Sequence, residues 1–132
     1  MLAMVAALEA GSNWVGEAVR LRNKLEAGIL AAGGEVIAAG AERSPTIGGY
    51  RMPGKSSAAQ LIRFDAMGIA VSAGSACSSG SLRTSHVLSA MGLDDKAASE
   101  VIRVSIGRET EEGHVERFLE AWREIAGKRA AA

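Results

Sequence analysis

Cysteine is almost missing from this chain: Cys77 is the only one in 132 residues. A lone thiol cannot close an internal disulfide, which suits a reducing compartment and a cytoplasmic location. Histidine is nearly as scarce, with His86 and His114 far apart. One thiol and two separated imidazoles argue against a dedicated zinc site, so no metal is expected. Blocks of like charge are lacking too. Fifteen basic side chains balance fifteen acidic ones, and the electrostatic footprint of a nucleic-acid or membrane-surface binder is not there. The apolar opening, residues 1–10, is short, has no basic lead-in and carries Glu9. It reads as a helix end rather than a signal peptide or membrane span. No internal repeat is found, and no low-complexity linker beyond the Ala-rich last residues.

What is present describes a globular chain. Apolar residues make up 48%, and the length fits a single domain, 1–132, with a modest core. Trp14, Ala18, Leu21, Leu25, Ile29 and Ala32 recur at helical spacing, with Glu17, Arg20 and Lys24 on the other side and Gly33-Gly34 as the stop. Residues 35–39 and 46–52 read as short strands, the second weakened by two glycines. Ser57-x-x-Gln60 reads as a capping box opening a helix to Met67, with Gly68 as its stop. A strand at 69–73 leads into a glycine-punctuated loop, and 85–91 reads as a short helix ended by Gly92. Ile102, Val104 and Ile106 alternate with Arg103 and Ser105, the pattern of a half-buried strand. Thr110 is placed to cap a last helix with Glu111 and Glu112 in its first turn and Val115, Phe118, Trp122 and Ile125 along its apolar stripe. The order predicts an α+β fold: a small antiparallel or mixed sheet with helices packed on one face.

Three motifs carry chemistry. Gly49-x-x-x-x-Gly54-Lys55-Ser56 satisfies the P-loop pattern. The polar, proline-bearing run-in Arg43-Ser44-Pro45-Thr46 and the bulky Tyr50, Arg51 and Met52 disagree with it, and an ordinary Pro-Gly turn into a capped helix is preferred. Cys77-x-x-Gly80-x-x-Arg83-Thr84 satisfies the pattern of cysteine-dependent phosphatases, with Asp94 or Asp95 as candidate general acids. Against it, Gly74-Ser75 separates the strand from the thiol, and Ala76 stands where that family commonly has histidine. The third feature is the setting of Cys77 itself, Ser72-Ala73-Gly74-Ser75-Ala76-Cys77-Ser78-Ser79-Gly80-Ser81. Structural cysteines sit among apolar partners. Here every neighbour is small, so the thiol is expected to be accessible for sulfur chemistry.

That stretch, followed by Ser85-His86-Val87-Leu88-Ser89-Ala90-Met91-Gly92 and Ile102-Arg103-Val104-Ser105-Ile106-Gly107-Arg108, closely resembles the C-terminal domain of NifS/IscS-like cysteine desulfurases, in the class V aminotransferase group of pyridoxal-phosphate enzymes. Phe64 to Val71 resembles the helix-to-strand step before that family's cysteine loop, and Leu21 to Glu26 the start of its small domain. The resemblance runs in order over nearly the whole chain. It implies that Cys77 is the loop nucleophile that takes sulfur from L-cysteine as a persulfide, leaving alanine. It also implies that Arg103 binds the substrate carboxylate, a task suited to a planar guanidinium. His86 is expected to pack or cap, and no role is assigned to Arg108. Thr84 replaces a proline common in the family.

The resemblance also exposes an absence. The family lysine that holds pyridoxal phosphate lies in a Ser-His-Lys segment of a larger, preceding domain. Here Ser85-His86 is followed by Val87, and Lys24, Lys55, Lys96 and Lys128 sit in other contexts. The expectation is the C-terminal portion of a cysteine desulfurase without its large cofactor domain, binding no pyridoxal phosphate and inactive alone. Its implied partners are that missing domain, L-cysteine and a sulfur acceptor or iron–sulfur scaffold protein, or a tRNA-thiolation acceptor. The parent enzyme is expected to be a homodimer. The alternatives are a small cysteine phosphatase using Cys77 and Arg83, or a non-catalytic binding remnant.

Overall fold

The computed structural model describes residues 2–40, 44–73 and 90–127, with side chains from Trp14 onward. Helix α1 (Leu2–Ala31) is followed by β1 (Glu35–Val36), β2 (Ile47–Arg51), α2 (Ser57–Ala66) and β3 (Ser72–Ala73), then α3 (Asp95–Ala98), β4 (Val101–Ser105) and α4 (Glu112–Ile125). The strands form one sheet in the order β1-β2-β4-β3, antiparallel throughout. The α+β fold expected from the sequence is therefore observed, with an antiparallel rather than a mixed sheet.

Alternation along the strands decides the layers. Val36, Tyr50 and Ile102 lie in register on one face and join the core built by Ala18, Leu21, Leu25 and Ile29 of α1, Phe64 of α2 and Val115, Phe118, Leu119 and Trp122 of α4. The helical stripes expected for α1 and α4 are the buried ones, apart from the half-buried Trp14. Gly48 lies on this core face. A Cβ there would collide with the Tyr50 hydroxyl, which reaches over to Glu26 at 3.2 Å. The missing side chain at 48 is thus explained by packing.

β1 is shorter than expected because a turn begins early, and β3 begins at Ser72 rather than at 69. The chain leaves β1 after Val36, with Ala38 at φ 56. Two caps shift as well. Ser56, not Ser57, is the N-cap of α2: its backbone is extended and its side chain accepts the Ala59 amide at 3.2 Å. Gln60 is consequently one residue too far along to complete the box; its amide instead donates to the carbonyls of Lys55 and Glu100, both at 2.9 Å. At α4 the N-cap is Glu111, whose N–H donates to His114 Nδ1 at 2.9 Å, while the Thr110 hydroxyl accepts the Gly107 amide at 2.9 Å. The short helix α3 is an addition to the sequence-based reading. Asp94 caps it by accepting the Ala97 amide at 2.7 Å. Residues 85–89 of the helix expected before Gly92 lie outside the described residues.

Exposed ion pairs join α1 to α4. Lys24 reaches Glu112 at 2.6 Å and Glu116 at 2.9 Å and Arg20 reaches Glu112 at 3.7 Å, while Arg20 also pairs with Glu17 within α1 at 2.6 Å. The Lys24 hydrogen bond, then the Lys24 and Arg20 charges, hold the Glu112 carboxyl below its ordinary 4.5, and Arg20 does the same for Glu17. A carboxylate depressed in the native state stabilises above its unfolded pKa and stops doing so as pH falls through the folded one. We expect the melting temperature to fall once pH drops below that unfolded value. Melts from about pH 7 to about pH 3 should show a shallower fall for Glu112→Gln, and added salt should mute the difference, since these groups are exposed.

Candidate functional site

The second face of the sheet carries the chemistry. Glu35, Arg51 and Val101 form one transverse row, Gly49, Arg103 and Ser72 the next, and Ile47 with Ser105 the third. Segment 90–100 covers one end of this face. There Met91, Leu93 and Ala97 meet Glu35, Ile37 and Arg51 around a shallow cavity of about 380 Å³.

Two guanidiniums stand on this face, in opposite circumstances. Arg51 is committed: Nε meets Glu100 at 2.8 Å and Nη1 meets Glu35 at 2.7 Å. The Glu35 hydrogen bond, then that of Glu100, raises its pKa above the usual arginine value. Glu100 is only 3% exposed, so the pair neutralises a buried carboxylate that would otherwise be costly. Arg103 is exposed and, among the described residues, has neither an ion pair nor a hydrogen-bond acceptor for its side chain. The expectation that Arg103 lies opposite Ile102 and Val104 holds, since Ile102 is buried, Val104 half-buried and Arg103 exposed. An exposed guanidinium in the middle of a sheet face can bind a carboxylate through two parallel hydrogen bonds.

Ser72 of β3 lies directly across from Arg103. Cys77 follows five residues later, and with Arg83 and His86 it lies outside the described residues. Asp94, one candidate general acid of the phosphatase reading, is occupied in capping α3. The P-loop pattern is answered by geometry. Lys55 N–H donates to Met52 at 3.2 Å, Ser57 N–H to Ser99 at 2.6 Å and Ala59 N–H to the Ser56 hydroxyl at 3.2 Å. Those amides are spent within the fold, so they form no cradle for a phosphate.

The same accounting applies to pyridoxal phosphate, and the described residues do not fit it. Lys24 is engaged by two glutamates at the α1–α4 seam, Lys55 lies in the turn before α2 and Lys96 on α3. None shares the strand rows of Arg103, and three amides around the start of α2 are already engaged. Among the described residues no cluster of His, Cys, Asp or Glu could hold a metal ion, and no helix is long and apolar enough to cross a membrane.

Comparison with known proteins gives the relatives of this arrangement. No family model matches the chain. It is 40% identical over 101 residues to the cysteine desulfurase NifS of Azotobacter vinelandii, covering 75% of this chain and 25% of that protein. It is 38% identical over 103 residues to an IscS-like cysteine desulfurase of Mycobacterium tuberculosis, covering 76% and 26%. Among solved structures, a NifS-like protein superposes with a TM-score of 0.80 and 28% identity, covering 95% of this chain and 31% of that one. A NifS-like protein from Rickettsia africae gives 0.74 and 27%, covering 86% and 29%. The chain spans about a quarter of the length of the curated relatives it matches.

Proposed function

We propose that this chain, whose kinship lies with the NifS/IscS cysteine desulfurases, is their sulfur-accepting C-terminal domain, inactive until it meets a cofactor-bearing polypeptide. The observation that carries this reading is Arg103, unpaired among the described residues and standing beside the strand that leads to Cys77. Arg103 binds the carboxylate of L-cysteine and fixes its orientation. Four residues, Gly74 to Cys77, follow β3, and a stretch of four reaches at most about 14 Å. Chain connectivity therefore limits how far Cys77 can lie from the end of β3, and such tethering raises its effective concentration at a substrate held by Arg103.

The Cys77 thiolate attacks the substrate sulfur, and an S–S bond forms as the substrate C–S bond breaks. The electron pair leaves with carbon, which takes up a proton to become alanine, and Cys77 keeps the sulfur as a persulfide. Pyridoxal phosphate supplies the electron sink that this C–S cleavage needs. In this reading it is held by the domain that accounts for the rest of the relatives' length. The persulfide sulfur then passes to an acceptor such as an iron–sulfur scaffold protein or a tRNA-thiolation protein, and the complete enzyme is a homodimer in the cytoplasm.

The test is alanine release from L-cysteine with pyridoxal phosphate and a reductant, with and without a separately expressed lysine-bearing domain. Turnover is expected only with both pieces. Arg103→Ala should raise KM for L-cysteine by on the order of 10²-fold, the worth of a lost charge-assisted pair, with a smaller effect for Arg103→Lys. Turnover by this chain alone would overturn the predicted inactivity. Hydrolysis of an aryl phosphate by the chain alone, lost in Cys77→Ala and Arg83→Lys, would replace the desulfurase reading with the phosphatase one.

A further inference from the structure

Gly48 and Gly49 are neighbours on opposite faces of β2, and only one of them is explained by packing. The Tyr50 hydroxyl occupies the space that a side chain at 48 would need. Among the described residues a Cβ at 49 would meet ordinary neighbours, Ile37 Cβ at 3.4 Å and Val101 Cγ1 at 3.9 Å. The backbone at Gly49 is not left-handed either. Glycine in a strand interior is unfavourable because it loses more backbone freedom on folding and packs nothing. Neither conformation nor packing among the described residues requires it here.

Its position supplies a reason. Gly49 is the register partner of Arg103, on the side opposite Ser72. Beyond it the Ile37 amide donates to the Gly49 carbonyl at 2.9 Å. The row thus runs Ser72, Arg103, Gly49, Ile37, and Gly49 adds no side chain of its own beside Arg103. Directly opposed side chains in a sheet start about 5 Å apart, so any larger residue at 49 would lie against Arg103. Ile37 and Val101 flank the position a Cβ at 49 would take with apolar atoms, and a charge-assisted pair is stronger where water is displaced.

We infer that Gly49 is a specificity-determining residue: its missing side chain is the slot that seats the substrate carboxylate against Arg103. This rests on the assignment of Arg103 to the carboxylate. It also sets a trade-off, because a β-branched residue at 49 should strengthen the strand while closing the slot. Binding and stability then move in opposite directions, which a merely structural glycine would not produce.

The experiment is a titration of the whole chain with acetate and with L-alanine, read at the Arg103 Nε–Hε resonance. In the unmodified chain that resonance should shift and saturate. In Gly49→Val the apparent affinity should fall at least about tenfold, equivalent to about 1.4 kcal/mol, while the melting temperature rises. Should Gly49→Val not fold, Gly49→Ala reads the same resonance, and a loss of about threefold is expected because a methyl fills only part of the slot. A folded variant that titrates like the parent overturns the role of Gly49 and leaves Arg103 standing. An Arg103 resonance that never responds in the unmodified chain removes the carboxylate assignment, and the slot with it.

Discussion

Replacing Cys77 by serine is expected to abolish alanine formation by the assembled pair of polypeptides, a loss on the order of 10³-fold or more, as for removal of other nucleophiles. Sulfur transfer needs an attacking atom that ionises appreciably near neutral pH and can hold a second sulfur. A thiol satisfies both conditions, whereas a hydroxyl is almost wholly protonated and forms no persulfide. Serine keeps the small size of its neighbours Ala76 and Ser78, so the loop sequence is otherwise undisturbed. The Arg103 resonance should therefore titrate with acetate as before, because carboxylate binding and nucleophilic attack belong to different segments. Mass spectrometry after incubation with L-cysteine should find one added sulfur on the peptide containing Cys77, and none in the serine variant. Full turnover in Cys77→Ser would mean that sulfur leaves the substrate by another route, and the proposed role of this chain would fall.

The part of the fold legible in the sequence is the part that a single periodicity decides. Ala18, Leu21, Leu25 and Ile29, and likewise Val115, Phe118, Trp122 and Ile125, are buried as their spacing requires. In β4 the alternation puts Arg103 outward and Ile102 inward, as observed. What spacing misses depends on competition between neighbours. Ser56 and Ser57 are equally good caps by residue type, and only the backbone decides between them. Thr110 is the natural cap for the last helix by residue type, but its hydroxyl is bound to Gly107, which leaves the cap to Glu111 with His114. Val101 is buried although it lies on the second face, in the row of Arg51, a tertiary fact that no alternation rule contains. The candidate site divides the same way. Resemblance points to Arg103, but the features that distinguish it from Arg51 come from three-dimensional pairing. Spacing alone cannot single out Gly49 from Gly48 either, because their difference lies in which face of β2 each occupies.

Trp122→Ala should cost about 3–5 kcal/mol, as large aromatic truncations in cores do, a large share of the roughly 5–15 kcal/mol that holds a domain folded. Trp122 is 0% exposed and ties α4 to α2 and to the turn before β1. Its ring lies 6.5 Å from Phe64 of α2 and 5.9 Å from Phe118 of α4, both tilted by 41°, while the two phenylalanines stack at 5.0 Å. A Cβ on Gly34, just before β1, would lie 2.8 Å from the indole, so the ring also fixes the path from α1 into the sheet. Trp122→Phe separates volume from hydrogen bonding. The indole Nε1 is buried without a partner among the described residues, so phenylalanine sacrifices no bond and removes an unsatisfied donor. Its cost should stay below about 2 kcal/mol. Urea unfolding with unchanged m-values would measure both. All of this packing lies behind the sheet, on the face opposite Arg103. Under conditions where Trp122→Phe remains folded, its Arg103 resonance should bind acetate as tightly as the parent chain. A changed affinity would mean that the aromatic cluster positions β4 for binding as well as holding the fold together.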